Sequence, residues 1–351
     1  MKPAEPTQTS SSTVPYPPSY IDRFIQWIQR LPIHYGLIFL LLFMIQSLAL
    51  FTLAWADGSI SQMTAWRVLF LFPVWQWIPL LIITFLNKTA RSTLDSFSRL
   101  LGGDEDALDR LKYEFTTMPP RGVILSSVIW IAFYVFATYS FSYLYQEFGF
   151  GALTRIVVMV EGLFCYAIGG VIYYHSLRQL WLVNRTVKTV KRYNLFELDP
   201  VYSFSRLTAW TGISWVLMLT LNLWLFPFGA ALELMLTITV IQVALALAAF
   251  ILPLRFVNSH LIIEKRRLLA ENQQRVEATL VKLHQQIDQN RLNEVEQLNN
   301  AISGLRVERD ILEKIPTLPW RTQTLTGFLS AIILPIILLI IQIIIEKWLS
   351  G

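Results

Sequence analysis

The feature that most constrains this chain is a set of seven apolar runs, each about as long as a membrane is thick. They lie at residues 34–55, 67–86, 122–145, 153–175, 208–227, 231–254 and 325–348. About 20 apolar residues in a helix cross a hydrocarbon core of about 30 Å. The chain is 54% hydrophobic and 15% charged, whereas about 25% of a soluble domain is charged. The sequence therefore predicts an all-α, polytopic bundle of seven transmembrane helices.

Lysine and arginine fall almost entirely on one side of this seven-span arrangement. They collect before the first span, between spans two and three, between spans four and five, and after span six. The other side holds Arg67 and Arg155 at span edges, and Lys347 at the far end. Basic residues mark the cytoplasmic side. We therefore expect the N-terminus inside, the C-terminus outside, a cell-membrane location and mainly cytoplasmic soluble mass, with no nucleic-acid partner. The alternative of six spans, with one apolar segment lying only at the interface, would break this alternation of charge.

The chain divides into five regions. Residues 1–18 are rich in Pro, Ser and Thr, so we expect a disordered tail and no cleavable signal peptide. Residues 19–33 predict a short amphipathic helix in the membrane interface, with packing on the bundle as the alternative. Residues 34–254 hold spans one to six with helical inner loops at 87–121 and 176–207. Residues 255–320 form a cytoplasmic segment, and 321–351 hold the seventh span.

The segment at 255–320 is polar, long and helical in pattern. Apolar residues recur at heptad spacing in two sets that are out of phase by one residue, at 288–293. The sets are Leu269, Val276, Leu280, Leu283 and Ile287, then Val295, Leu298, Ile302, Leu305 and Leu312. A straight helix would end about 90 Å from its start, yet the chain must return to the membrane by residue 325.

These constraints predict a helical hairpin with helices at about 255–288 and 293–315. Asn293 and Glu296 have the spacing of a capping box at the start of the second helix. Gln273 and Arg309 fall on the apolar stripes, which leaves room for other cytoplasmic helices or a second subunit to complete the contact.

Polar residues within the spans are the candidates for function. Glu161 lies inside span four, and ionisable residues at that depth are costly. It is interpreted either as a proton or cation site, or gate, or as a carboxyl group that holds helices together. Asn222, Gln242 and Gln342, like Gln46 and Gln76, are expected to hydrogen-bond between helices. Cys165, the single cysteine, is expected to be buried and inert.

Signatures of catalysis are absent from the sequence. The histidines His34, His175, His260 and His284 have no metal-ligand spacing, and no phosphate loop or nucleophile elbow is present. We therefore expect no enzyme, no cofactor, and no catalytic, cofactor-binding or metal-binding residue.

Two resemblances bear on the fold. The segments NLFELDPVYSFSRLTA and LPWRTQTLTGFLSAIILP resemble stretches of uncharacterised multi-pass membrane proteins of bacteria and archaea. In layout, the chain is similar to insect chemoreceptor-type channels. That similarity implies seven spans, an inside N-terminus and a last helix that lines the pore of a tetramer. It implies no site residue here.

Three functions remain open from the sequence. The first is a receptor-like or ion-conducting homo-oligomer assembled through cytoplasmic helices. The second is a small-molecule or ion-coupled transporter that uses Glu161. The third is a membrane scaffold or sensor that signals through the hairpin to a cytoplasmic protein partner. The lipid bilayer is the common partner in all three.

Overall fold

The fold was analysed in a computed structural model of the 351-residue chain. It describes residues 15–59, 65–98, 105–140, 149–189, 195–225, 232–289 and 291–350, so most of the predicted tail lies outside the described residues. The all-α prediction is confirmed, since the described residues form helices and no strand. The helices are α1 (Tyr20–Gln29), α2 (Tyr35–Ala56), α3 (Ala65–Phe97), α4 (Glu105–Thr116), α5 (Pro120–Ser140), α6 (Ala152–Thr189), α7 (Asp199–Leu225), α8 (Leu232–Ile251), α9 (Arg255–Asp288), α10 (Leu292–Lys314) and α11 (Thr322–Ser350).

Within the described residues, six helical stretches are long and apolar enough to cross a membrane. They are Tyr35–Ala56, Arg67–Phe97, Glu105–Ser140, Ala152–Thr189, Asp199–Leu225 and Thr239–Asp288. The chain is therefore consistent with an integral membrane protein. The predicted seventh span is represented by a shorter apolar stretch, Thr322–Leu334, so the count of seven and the orientation of the termini stay predictions.

Helices α3 and α7 are central and α2 is peripheral. Within the most apolar windows, 61% of the residues are buried for α3 and for α7, against 22% for α2. Large apolar side chains such as Leu41 and Leu48 of α2 are exposed on the outer surface. In a membrane such side chains meet lipid tails, which are as apolar as leucine.

The direction of each helix follows from pairs of contacts. Helix α3 lies parallel to α6, because Gln76 bonds to Glu161 and Asn87 to His175. Helix α7 is antiparallel to α3, because Thr93 donates to the Ser203 carbonyl; further along, Trp75 of α3 donates to the side chain of Asn222, near the other end of α7.

Other contacts extend this alternation. Helix α5 is antiparallel to α6, since Ser126 donates to the Gly170 carbonyl and Tyr134 to the Met159 carbonyl. One end of the bundle thus holds the C-terminal ends of α3 and α6 and the N-terminal ends of α5 and α7. We call it the polar end, because α1, α4 and the α9–α10 hairpin are also found there.

The first turns of α11 pack tightly into the bundle. Phe328 is fully buried, and its ring stacks on that of Phe250 at 4.2 Å. A Cβ atom on Gly212 of α7 would lie 2.6 Å from the Phe328 ring, so only glycine permits this approach. Arg321, at the start of α11, pairs with Asp199 at the start of α7. Helix α11 therefore begins at the polar end and runs parallel to α7.

Helices α9 and α10 pack against each other as a hairpin. Helix α9 ends at Asp288 and α10 begins at Leu292. At the base, Lys265 of α9 donates to the carbonyls of Glu313 and Ile315, at 2.7 and 2.8 Å. Val257, in the first turn of α9, is fully buried in the main core. The hairpin is therefore joined to the bundle at its base.

The contact line of the hairpin differs in part from the predicted one. Eight of the predicted residues are partly or fully buried: Leu269, Val276, Leu283, Val295, Leu298, Ile302, Leu305 and Leu312. The placement of Leu280 and Ile287 on the line was wrong, since they are 37% and 50% exposed. The buried Asn272 and the partly buried Thr279 lie on the contact line instead. Because both side chains are polar, a search for apolar repeats does not find these positions.

Three further details of the hairpin were predicted wrongly. Gln273 and Arg309 are exposed, and so do not interrupt the contact line. Helix α10 begins one residue before Asn293, and its N-cap residue is Arg291, with no side-chain cap. The side chain of Asn293 itself lies outside the described part of the chain.

Helix α1 packs on the bundle with its apolar stripe. Ile21, Ile25 and Ile28 are buried in the main core. Ser19 and Asp22 form a capping box at its start, and the Met118 N–H donates to the same Asp22 carboxylate at 2.8 Å. The stripe therefore contacts protein, as in the alternative interpretation of residues 19–33.

Candidate functional site

Three helices meet at the carboxylate of Glu161. Gln46 of α2 donates from Nε2 to Glu161 Oε2 at 2.7 Å, and Gln76 of α3 donates to the same oxygen. Glu161 lies on α6, within the predicted fourth span. The two glutamines were expected to bond between helices. No pattern in the sequence indicates that both bond to Glu161.

The orientation of the two glutamine amides is set by their other partners. Trp77 donates from its indole nitrogen to Gln46 Oε1 at 2.5 Å, so the amide nitrogen of Gln46 must face Glu161. Gln76 Nε2 also lies 3.7 Å from the sulfur of Cys165, which is buried next to it. We call these five residues, Gln46, Gln76, Trp77, Glu161 and Cys165, the Glu161 cluster.

The hydrogen-bond donors that the cluster offers to the Glu161 carboxylate are neutral amides. Among the residues that the structure describes, no basic side chain pairs with this carboxylate. Two neutral amide donors stabilise the negative charge through charge-assisted hydrogen bonds. An ionised carboxylate at membrane depth without a counter-ion is costly, so Glu161 is the leading candidate for function among the polar residues of the predicted spans.

The other predicted polar residues join helix pairs elsewhere. Asn222 accepts from Trp75 at 2.8 Å and so connects α7 to α3. Gln242 donates to the Tyr173 hydroxyl at 3.0 Å and so connects α8 to α6. The side chain of Gln342 lies outside the described part of the chain. The structure therefore places neither Asn222 nor Gln242 in the Glu161 cluster.

A second cluster joins α3 to α6 at the polar end. Asn87 Nδ2 donates to the Thr116 carbonyl at 3.2 Å, so its Oδ1 accepts from His175 Nε2 at 2.8 Å. His175 is therefore the tautomer that carries its proton on Nε2. Gln179, one turn further along α6, donates to the Phe115 carbonyl at 2.9 Å. The sequence showed His175 and Gln179 one turn apart, which is the signal that could have revealed this cluster.

Arg178, on the same turn of α6, holds the N-terminal segment in place. Its guanidinium donates to the Glu114 carbonyl and to the Tyr16 hydroxyl, and lies over the Tyr16 ring. The Tyr16 hydroxyl donates in turn to the Thr117 carbonyl at 3.0 Å. Burial raises the pKa of Tyr16 to about 12, so this phenol stays a neutral donor at physiological pH.

The two clusters lie at opposite ends of one parallel helix contact. Glu161 and His175 are about 21 Å apart along α6 at 1.5 Å per residue. Most α3 side chains between the clusters are apolar, and Leu80, Ile83 and Leu86 among them are buried; the buried Thr84 bonds to its own helix, at the Leu80 carbonyl. Polar bonds thus join α3 to α6 at two levels, with a mainly apolar stretch of α3 between them.

In the described ranges, no group of three His, Cys, Asp or Glu side chains lies close enough together to hold a metal ion.

Comparison of the chain with protein-family models, with curated proteins and with solved structures gave no significant match.

Proposed function

We propose that this integral membrane protein is a proton- or cation-coupled transporter of the cell membrane, and that Glu161 is its coupling site. The observation that carries the proposal is the single carboxylate oxygen that accepts hydrogen bonds from two other helices. We assign the protein no catalytic role.

The coupling follows from the strength of these hydrogen bonds. A charge-assisted hydrogen bond is about twice as strong as a neutral one. Protonation of Glu161 weakens the bonds from Gln46 and Gln76 together, and so loosens α2 and α3 from α6. A bound cation has the same effect if it takes over the oxygen that the amides now share. Ion binding thereby changes the helix packing around Glu161.

The proposal includes seven spans with the polar end in the cytoplasm. The alternating directions of α3, α5, α6 and α7 support it, as does the parallel start of α11 beside α7. The basic residues of α3 and α6 beyond the predicted spans lie at the polar end, which the positive-inside rule assigns to the cytoplasm.

The test is ion flux in proteoliposomes. Purified protein is reconstituted with a dye inside that is sensitive to pH, to sodium or to potassium, and uptake of the matching ion is followed under an imposed proton, sodium or potassium gradient. We expect flux that is lost in Glu161→Gln, which keeps the shape of the side chain but cannot bind a proton.

Thr52→Val is the matched control. Thr52 lies on α2, is exposed, and bonds only to its own helix, at the Leu48 carbonyl. Flux should survive this change. Equal flux in Glu161→Gln and the wild type would refute the coupling role, and no flux in the wild type under any gradient would refute the transporter.

A second function, the ion-conducting or receptor-like homo-oligomer, is favoured by one observation. Apolar side chains are exposed on the hairpin although it lies outside the predicted spans: Val281, Ile287, Val307 and Ile311. A second subunit or a cytoplasmic partner could cover them. The early packing of Phe328 against α7 and α8 weighs against a pore lined by this part of α11.

Light scattering and conductance separate this function from the first. An oligomer that becomes monomeric in Val307→Ser/Ile311→Ser, together with conductance in planar bilayers, would favour the channel. A monomeric wild type without conductance would exclude it.

A further inference from the structure

A polar cleft lies at the polar end between α1, the start of α2 and α3. Its volume is about 180 Å³, which is several times the share of one water in the liquid, about 30 Å³. Gln26 and Gln29 of α1 line one wall, and Lys88 and Arg91 of α3 line another. The side chain of Tyr35, the first residue of α2, is also part of the lining.

The two cations of this cleft have no acidic partner. Within the described ranges, neither Lys88 nor Arg91 forms an ion pair or donates a hydrogen bond, whereas Lys112 and Arg185, also at the polar end, pair with Asp95 and Glu114. Both side chains are exposed, so they are free to reach a ligand.

One acid, Asp22, also lines the cleft, and its charge is already bound by protein donors. Its Oδ2 accepts from the Ser19 hydroxyl at 2.7 Å, from the Ser19 N–H at 3.1 Å and from the Met118 N–H at 2.8 Å. Asp22 therefore offsets only part of the positive charge of the cleft.

The position of the cleft along the bundle selects its ligand. Lys88 and Arg91 follow the end of the predicted second span, at residue 86, by less than two turns. Tyr35 begins α2 next to the start of the predicted first span. The exposed aromatic rings of Trp27 and Tyr20 on α1 are typical of a membrane–water boundary. This is the level at which phospholipids present their phosphate groups.

We propose that the cleft between α1 and α3 binds a phosphate group presented at the membrane surface, with Lys88 and Arg91 as its cationic ligands. Arginine forms paired hydrogen bonds to phosphate oxygens, and lysine adds a point charge. The amides of Gln26 and Gln29 supply neutral donors on the opposite wall. A phospholipid headgroup and inorganic phosphate share this chemistry, and the experiment separates them.

The test measures thermal unfolding of the detergent-purified full chain through its tryptophan fluorescence. Phosphatidylglycerol, phosphatidylcholine and inorganic phosphate are titrated separately, because a ligand of the folded state raises the unfolding temperature. We expect saturable stabilisation by phosphatidylglycerol. In Lys88→Gln/Arg91→Gln the apparent affinity should fall at least about tenfold.

Arg23→Gln/Arg30→Gln is the matched control. It removes the same charge from exposed residues of the α1 region that do not line the cleft. Its affinity should fall clearly less than that of Lys88→Gln/Arg91→Gln, because Arg23 and Arg30 act only through long-range attraction to the lipid surface and do not line the cleft. Equal losses in the two double variants would show general attraction to anionic lipid and overturn the proposal.

The remaining outcomes are also decisive. Saturable stabilisation by inorganic phosphate alone, lost in Lys88→Gln/Arg91→Gln, supports the site and assigns it to a soluble phosphate. In another outcome, phosphatidylcholine and phosphatidylglycerol stabilise the wild type equally. If Lys88→Gln/Arg91→Gln then loses stabilisation by both lipids, the cleft binds the phosphodiester group whatever the net charge of the lipid. Gln29→Glu, a second variant on the exposed face of α1, should weaken binding by placing an anion in the cleft. No stabilisation of the wild type by any probe overturns the proposal.

Discussion

Replacing Asn272 with alanine should open the hairpin. This side chain is 1% exposed, and its Nδ2 donates to the Leu305 carbonyl and to Glu308 Oε2, each at 3.0 Å. It is a buried polar group of α9 that bonds to α10 in the middle of the contact line, next to the more exposed pair of Arg275 with Glu308 at 3.7 Å. Asn272→Ala removes both bonds, whereas the Leu305 carbonyl keeps the bond that it accepts within α10 from the N–H four residues on.

The magnitude follows from the two bonds. A neutral hydrogen bond contributes about 0.5–1.5 kcal/mol, and one to a charged group about 1.5–3 kcal/mol. Glu308 is partly exposed and regains water, so its bond counts at the lower end. The free energy of opening the hairpin should therefore fall by about 2–3 kcal/mol. That equals a rise of about 30- to 150-fold in amide exchange where exchange follows local opening.

The assay is hydrogen–deuterium exchange with mass spectrometry on the full-length protein in detergent. Peptides from α9 and α10 report the hairpin, and peptides from α3 and α7 are an internal reference that should not change. Gln273→Ala is the matched control. Gln273 is exposed and bonds only to Glu277 of its own helix, so exchange should change by less than about threefold.

The comparison tests the phase of the helix contact. The apolar pattern of the sequence puts Gln273 on the contact line, whereas the structure puts Asn272 there. A larger effect of Gln273→Ala than of Asn272→Ala would refute the structural assignment. Unchanged exchange in both variants would show that hydrogen bonds across the hairpin add nothing to its stability.

Three further predictions concern separate parts of the molecule. Burial raises the pKa of Asp22, so the folded state holds this proton more tightly than the unfolded state; the stability contributed by Asp22 is fully present at acid pH and is lost as the pH rises through the raised pKa. Asp22→Asn should flatten this dependence in the exchange of α1 amides across that pH range. Gly212→Val should lower the melting temperature in a fluorescence-detected assay, since overpacking against Phe328 costs about 1–3 kcal/mol. Gly327→Ala is the control: its added methyl group meets no neighbour, so the melting temperature should stay the same or rise slightly. Lys265→Met should speed exchange at the end of α10 by about five- to tenfold, because it removes two bonds at the base of the hairpin.

The sequence predicts helices well here because the lengths of the apolar runs match the thickness of a membrane. It also predicts the hairpin, because the chain must return from residue 288 to residue 322 within a limited length. It cannot predict which side of an entirely apolar helix faces the bundle, since such a helix has no polar face to compare. The hydrogen bonds from Gln46 and Gln76 to Glu161 depend on how α2, α3 and α6 are rotated about their own axes.

The α9–α10 hairpin is polar, and there too the sequence does not fully predict which helix faces make contact. On α10 the predicted apolar positions are buried or half-buried, because every one of them is apolar and the period is regular. On α9 the contact line includes Asn272 and Thr279, so an apolar pattern selects Leu280 in place of Thr279. Hydrogen bonds from α9 to α10, and not the hydropathy of α9, decide which face of α9 makes the contact. These bonds form only when α10 is packed against α9.

Helix α6 connects the two polar clusters to the hairpin. It is a single helix from Ala152 to Thr189, about 57 Å long at 1.5 Å per residue. At the polar end it contacts the 3₁₀ turn Leu252–Leu254 and α9, with Lys188 over the ring of Phe256. Glu161 lies near its other end.

This connection limits how a change at Glu161 can move the bundle. Loss of the bonds from Gln46 and Gln76 removes the hydrogen bond between α2 and α6, whereas the Cys165 thiol of α6 still donates to the Phe72 carbonyl of α3 at 3.3 Å. Asn87 and His175 also still join α3 to α6 nearer the polar end. The loss of the two glutamine bonds therefore leaves α3 tied to α6 at two levels and acts first on α2. The hairpin should then move little, and a sensor that signals through it would need the bonds between α3 and α6 to break as well.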